Sequence, residues 1–251
     1  MQFEWATAAR AKKASEEIGR QSEDAWFASS RVLCVADGVG SWWSQRQIDS
    51  GEYARNLCNH VALVAQDHDH PCSVMRSAHE HVPKQGSATL CVAFLDGNIL
   101  NVANLGDSRY LVVRGGEIVA TCRTQQFKFN APYQFGQDSP YTASDADISD
   151  VIMWPGDIVL MATDGLWDNL NDAEVLRIIN NSFNTAEALL ERAWAVSLDE
   201  NADTPFGINA VALGYDNLAG GKPDDITVVV GVVVVSARLK RLRRYSTADP
   251  E

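Results

Sequence analysis

Apolar and polar positions fall into short blocks along most of this chain, and the blocks define elements. Residues 24–28 (DAWFA) and 31–36 (RVLCVA) read as short strands set apart by Ser29-Ser30. Over 50–66, Tyr53, Ala54, Leu57, Val61 and Val64 recur at helical spacing, and a second helix is expected over 71–82. Residues 88–95 (ATLCVAFL) and 98–105 (NILNVANL) flank Asp96-Gly97, while 109–114 (RYLVVR) and 117–122 (EIVATC) flank Gly115-Gly116. Glycine dipeptides of this kind between apolar runs signal hairpins, because tight turns need positive φ. Four antiparallel strands are therefore expected in mid-chain.

Residues 124–150 are polar and lack periodicity, so a long loop is expected there, of the kind that often carries function. Residues 157–163 (DIVLMAT) read as a strand and helices follow over 172–181 and 185–199. Asn171 and Asn184 each precede a Glu by three residues, a helix-start signature. The last strand is expected over 225–235. Its apolar run, Val228 to Val235 interrupted by Gly231, falls far short of the roughly 20 residues a membrane-spanning helix needs. No element is assigned to Met1–Lys13, which reads either as the remnant of a removed transit peptide or as a plain chain start. With no repeat or low-complexity linker, residues 1–251 read as a single domain. The element order implies an α+β fold with helices packed outside two antiparallel sheets.

Composition narrows the function. Hydrophobic residues make up 46% and charged residues 22%, enough for a sizeable core without staples. A net charge of −12 argues against a nucleic-acid binder. The sign reverses at Arg238, Lys240, Arg241, Arg243 and Arg244, read as a solvated surface element rather than a docking patch for an acidic partner. The five cysteines, Cys34, Cys58, Cys72, Cys91 and Cys122, form no C-x-x-C, so free thiols in a reducing compartment are expected.

The acids matter more for where they sit. Glu23-Asp24 opens the strand 24–28, Asp37-Gly38 closes 31–36, Asp164-Gly165 closes 157–163, and Asp224-Asp225 opens 225–235. Asp107 and Asp168 lie at comparable points. Carboxylates at strand ends can converge from several strands on one end of a sheet. Hard cations such as Mg²⁺ and Mn²⁺ take oxygen ligands, and a pair of them can clamp a phosphoryl group and activate water. Any one Asp-Gly can simply mark a turn; the spacing by itself reaches only a divalent-metal site.

A resemblance takes the reading further. Ser22-Glu23-Asp24-Ala25, VADGVG at 35–40, GSAT at 86–89, NLGDSR at 104–109, MATDGLWDN at 161–169 and KPDDIT at 222–227 resemble the ordered motifs of the type 2C metal-dependent protein phosphatases, and they span nearly the whole chain. VADGVGSW, QQFKFNAPYQFG at 125–136 and GGKPDDIT at 220–227 resemble the organelle-targeted branch that includes mitochondrial matrix phosphatases and the chloroplast photosystem II core phosphatase. The resemblance implies a β-sandwich of two antiparallel sheets flanked by helix pairs. It implies Asp37 as the carboxylate bridging two core ions, with the Gly38 carbonyl on one of them and Asp164 and Asp224 on the other. Glu23 and Asp24 match acids that hold metal-bound waters, and Asp107 and Asp168 match, with Asp164, a third ion site. The implied reaction is in-line attack on phosphoserine or phosphothreonine by a metal-bridging hydroxide, without a phosphoenzyme. The cofactors are Mg²⁺ or Mn²⁺, two core ions and a third. The substrate is a phosphoprotein, and the chain is expected to be monomeric, not membrane-spanning, and located in a chloroplast or mitochondrion, with the cytoplasm as the alternative.

Two positions depart from the family pattern. Val39 stands where many members have a His after Asp-Gly, and Gly19 stands where many have a phosphate-gripping Arg. Arg20, one residue closer to Glu23, is either that phosphate contact or a surface charge. All five histidines lie between His60 and His81 without H-E-x-x-H spacing, read as a solvated connection rather than zinc ligands. Trp42 and Trp43 either line the substrate approach or pack. Substrate choice is assigned to surface loops at 41–50, 124–150 and 200–220. The rival functions are a pseudophosphatase that binds phosphoproteins on the same fold, and a two-metal hydrolase of small phosphoesters.

Overall fold

A computed structural model describes residues 1–236 apart from 69, 84 and 137, so the basic residues 238–244 lie outside the described residues. Strands β1 (Gln2–Arg10), β2 (Asp24–Ala28), β3 (Val32–Asp37), β4 (Leu90–Asp96), β5 (Ile99–Leu105), β6 (Arg109–Arg114), β7 (Glu117–Thr121), β8 (Asp147–Ile152), β9 (Ile158–Ala162) and β10 (Ile226–Val234) build two five-stranded antiparallel sheets. One runs β1-β10-β9-β6-β7 and the other β8-β5-β4-β3-β2. Helices α1 (Lys13–Glu17), α2 (Ser41–Arg46), α3 (Ser50–Val64), α4 (Pro71–His81), α5 (Asp164–Trp167), α6 (Asp172–Asn181), α7 (Thr185–Ser197) and α8 (Pro205–Ala212) complete the order.

Three apolar layers hold the α+β sandwich together. Between the sheets lie Leu33, Val35, Cys91, Leu100, Val112, Met161 and Val229. Outside one sheet, Tyr53, Leu57 and Val61 of α3 and Met75 of α4 cover Cys34, Val92 and Leu105. Outside the other, Val175 of α6 with Leu189 and Ala193 of α7 cover Leu111, Leu160 and Val228. β10 is covered on both faces, which is why it reads as a continuous apolar run rather than an alternation.

Several expectations need correction. Met1–Lys13 is not featureless: β1 pairs with β10 over nine residues, Gln2↔Val234 to Arg10↔Ile226. It is an edge strand whose buried side chains are few, Phe3 and Ala8, so its pattern is weak. The long polar stretch 124–150 contains most of a second edge strand, β8, whose Ile148 and Ile152 face solvent. Short helices α2 and α8 occupy the stretches 41–50 and 200–220. The first hairpin turns on Gly97-Asn98 rather than Asp96-Gly97, because Asp96 stays in the ladder opposite Ile99 and Gly97 takes the positive φ of 59°. Gly115 and Gly116 both have positive φ, as expected. Asn171 caps α6 by accepting the Glu174 N–H at 3.0 Å, whereas Asn184 makes no cap bond.

Antiparallel order gathers the acids. β2 begins where β3 ends, and Asp24 and Asp37 are direct register partners. The β5–β6 turn carries Asp107, α5 starts with Asp164 straight after β9, and Asp224-Asp225 precedes β10. All of these lie at one end of the sandwich.

Candidate metal centre

Asp37, Asp107 and Asp164 each present a carboxylate oxygen, and the three oxygens lie within 4.8 Å of one another. Local hydrogen bonds hold these residues, through the main chain of Asp37 and through the carboxylates of Asp107 and Asp24. Asp37 is fixed by the Thr89 side chain and main chain: its N–H donates to Thr89 Oγ1 at 3.1 Å and its carbonyl accepts the Thr89 N–H at 2.9 Å. Asp107 Oδ2 accepts from Gln126 Nε2 at 2.7 Å. Asp24 Oδ2 accepts from Thr163 Oγ1 at 2.7 Å, and Thr163 in turn takes the Thr227 N–H at 3.0 Å. Gly38 allows the chain to pass against Glu23, since a Cβ there would sit 2.5 Å from the Glu23 carbonyl.

The electrostatics are those of carboxylates short of a cation. Burial, then Asp164 and the other nearby acids, push Asp37 well above the usual carboxylate range. Burial and Asp164 raise Asp107 to about 8. Burial and Asp225 raise Asp24, and burial and Asp164 raise Asp224. The Oδ1 atoms of Asp24, Asp107 and Asp164 are buried with no hydrogen-bond partner. Unpaired buried carboxylate oxygens are costly, and a divalent cation is the partner this all-oxygen set fits.

Two lysines sit among the same acids. Lys222 Nζ lies 2.5 Å from Asp164, 2.6 Å from Asp168 and 3.2 Å from Asp224. Lys12 Nζ lies 2.8 Å from Glu23 and 3.7 Å from both Asp224 and Asp225. Burial opposes the charge on both amines, but the surrounding carboxylates outweigh it and hold both protonated. Burial raises Asp168 to about 7, with Lys222 opposing the rise. Burial also pushes Asp164 up, but Lys222 more than offsets this and holds it below its ordinary value.

The predicted residues therefore form three adjoining groups: Asp37 with Asp107 and Asp164, then Asp164, Asp168 and Asp224 around Lys222, and Glu23 beside Asp224 around Lys12. Arg20 stands apart. Its guanidinium lies 3.2 Å from Glu23, 3.9 Å from Asp49 and 3.8 Å from the centre of the Trp43 ring. Among the described residues, the cations lining the cavity of about 430 Å³ over Asp37, Asp164 and Asp224 are Lys12, Lys128 and Lys222. Val39 lines that cavity too, and no histidine does. Trp42 is tied to Ser87 Oγ at 2.6 Å and, with Arg46 and Tyr141, walls a neighbouring cavity of about 300 Å³. The histidines belong to α3, α4 and their connection, as in the His60 bond to Ser77.

The sequence alone pointed to no role for Lys12 or Lys222, and to Asp225 only as a member of the acidic pair that opens the last strand. Lys222 and Asp225 stand inside the KPDDIT motif, a signal that could have found them. Lys12 had none, because β1 was not expected to lead into the site.

A family profile described as Protein phosphatase 2C matches residues 14–193. Probable protein phosphatase 2C 26 of Arabidopsis thaliana is 33% identical over 88% of this chain and 81% of its own length. The human protein phosphatase PTC7 homolog is 36% identical over 82% of this chain and 76% of its length. Some relatives are longer: the chain spans 48% of probable protein phosphatase 2C 55 of Arabidopsis thaliana. Among solved structures, the photosystem II phosphatase PBCP matches with a TM-score of 0.86 and 30% identity, covering 92% of this chain and 98% of that one. The catalytic domain of the serine/threonine phosphatase PstP, in complex with two manganese ions, matches at TM-score 0.66 over 93% of this chain and 99% of that one; at 18% identity it shows the fold alone. Fold and acid cluster together define a metal-dependent phosphatase. The chain belongs to the protein phosphatase 2C family and is a serine/threonine protein phosphatase.

Proposed function

We propose that Asp37, Asp164 and Asp224, with the Gly38 carbonyl, hold two core ions, Mg²⁺ or Mn²⁺, at which the chain removes phosphate from phosphoserine and phosphothreonine in protein substrates. The observation that carries this is the meeting of the Asp37, Asp107 and Asp164 carboxylates from three separate strand ends, within 4.8 Å of one another, with the Oδ1 atoms of Asp107 and Asp164 buried and unpartnered; Asp224 joins them through Lys222, which lies between it and Asp164. Glu23 and Asp24 act from behind through water, and Asp107 and Asp168 add, with Asp164, a third ion position. Divalent ions bound there would polarise the phosphoryl oxygens and supply a water nucleophile at neutral pH.

The chain's own residues do the rest. Thr89 fixes the main chain of Asp37, and Gln126 and Thr163 hold the carboxylates of Asp107 and Asp24, which is the preorganisation that makes charge stabilisation effective. Lys12 and Lys128 line the cavity and meet the incoming phosphate; Arg20 is not among the residues lining it and, held by Glu23 and Trp43, orients Glu23 instead. Val39 has no proton to give, so the departing Ser or Thr oxygen takes its proton from water in the cavity. The protein works as a monomer and a single domain, without nucleic acid. Its likeness to the photosystem II phosphatase supports a place in a chloroplast, with the mitochondrion as the other organelle.

The test is turnover of a phosphothreonine peptide with Mn²⁺, with Mg²⁺ and with EDTA, beside Asp37→Asn. Turnover that needs metal and vanishes in the variant is expected. Turnover that persists in EDTA, or in Asp37→Asn, would overturn the assignment.

A further inference from the structure

Lys222 is not an ordinary surface lysine. Its ammonium touches Asp164 Oδ2 at 2.5 Å, Asp168 Oδ2 at 2.6 Å and Asp224 Oδ2 at 3.2 Å, and only 13% of its side chain is exposed. Its main chain is pinned at both polar groups by one side chain. The Lys222 N–H donates to Asn169 Oδ1 at 2.9 Å, and its carbonyl accepts from Asn169 Nδ2 at 2.9 Å. The same Asn169 amide donates to the Gly165 carbonyl at 2.9 Å. The 222 segment is thus clamped to the stretch that carries Asp164 and Asp168.

An ammonium is a compact charge with three donors; two of them go to Asp164 and Asp168, and Asp224 completes the ring as an ion pair at 3.2 Å. We propose that Lys222 is a tethered counter-cation: its single charge partly offsets those of Asp164, Asp168 and Asp224 while no divalent ion is bound, and it competes with a divalent ion for Asp164 and Asp168. The inference rests on the metal-centre assignment above. An ion that used the same Oδ2 atoms of Asp164 and Asp168 would have to displace the ammonium hydrogen-bonded to them, and the repulsion between the two charges in a buried site adds to that cost. The position formed by Asp107, Asp164 and Asp168 therefore fills last, and its filling requires Lys222 to let go. The buried Oδ1 of Asp164, which has no partner, remains available to an ion on the other side.

The experiment is calorimetric titration of Mn²⁺ into metal-stripped wild type, Lys222→Met and Lys222→Arg. Lys222→Met should bind its weakest ion about tenfold more tightly, within the usual range of coupling between two bound species. Lys222→Arg, which keeps the charge, should stay near wild type. The metal-stripped Lys222→Met should melt lower than wild type and recover when saturated with Mn²⁺. An isotherm for Lys222→Met equal to or weaker than wild type would overturn the inference and leave the metal centre standing. A wild type that binds no Mn²⁺ would remove the metal centre and the inference together. A measurement on wild type alone avoids dependence on folding of a variant: the lysine side-chain ¹⁵N signal of Lys222 should be protected in the stripped protein and lose that protection on Mg²⁺ saturation. A signal unchanged at saturation would overturn the inference as well.

Discussion

Asp225 Oδ2 accepts the backbone N–H of Glu23 at 2.9 Å, across 202 residues of chain, while its Oδ1 accepts the Lys12 N–H at 2.7 Å. One buried carboxylate thereby ties the approach to β2 and the end of β1 to the start of β10. It sets where Glu23 and Lys12 stand in the site.

Removing that carboxylate should cost stability. Hydrogen bonds to a charged group contribute about 1.5–3 kcal/mol each, and two N–H groups, that of Glu23 buried and that of Lys12 partly so, lose their acceptor together. Asp225→Ala should lower unfolding free energy by about 3 kcal/mol or more, and Asp225→Asn, which keeps one acceptor, by less. Urea denaturation of the metal-stripped proteins measures both; an unchanged midpoint for Asp225→Ala would contradict the role.

Gly165 packs against the same segment. A Cβ there would lie 2.0 Å from the Asp225 carbonyl oxygen, a backbone atom that cannot step aside. Gly165→Ala should destabilise by about 3 kcal/mol or fail to fold, at or beyond the upper end of ordinary overpacking. A Tm close to wild type would show that the Asp225 segment yields.

Asp37→Asn and Asp164→Asn should lower kcat by about a hundredfold or more, the scale of losing a principal charge-stabilising group. The metal-free fold of Asp37→Asn should survive unweakened, because Asp37 is crowded by acids and gains nothing from its charge without a cation, whereas Asp164→Asn also loses the Lys222 ion pair and should melt somewhat lower. Circular dichroism beside phosphopeptide kinetics checks both halves.

Lys12 and Arg20 should separate in kinetics. Lys12→Ala should raise KM for a phosphopeptide about tenfold, the loss of one charge-assisted hydrogen bond. Arg20→Ala should change it only a few-fold, through Glu23, because Lys12 lines the cavity and Arg20 does not. Equal effects in the two variants would return Arg20 to the phosphate.

The thiols should be inert in the native protein. Burial raises Cys34 and Cys91 well above the ordinary thiol value, Cys122 to about 11, and Cys72 as well. A raised value means less thiolate at any given pH, and the thiolate is the reactive form. Alkylation near neutral pH should label these four slowly until the protein is unfolded, after which all react; rapid native labelling of Cys34 or Cys91 would contradict their burial.

Much of this protein is legible from local pattern. Gly115-Gly116 announces its hairpin, the Tyr53–Val61 spacing announces α3, and Val228 to Val235 announces a strand covered on both faces. These succeed because each element buries one face or two against a neighbour, and burial writes itself into the order of apolar residues. The acids at strand ends were legible for the same reason: a strand end is marked by where its apolar run stops.

Packing alone decided the rest. β1 and β8 are edge strands with little to bury, so their pairing with β10 and β5 leaves almost no trace in composition. That Asp24 faces Asp37, that Lys222 rather than Arg20 is drawn in among the acids, and that Asp225 spans from β10 to Glu23 all depend on contacts between residues far apart in the chain. Such contacts are set by how two sheets close on one another, and no local periodicity encodes which charges that closure will bring within reach.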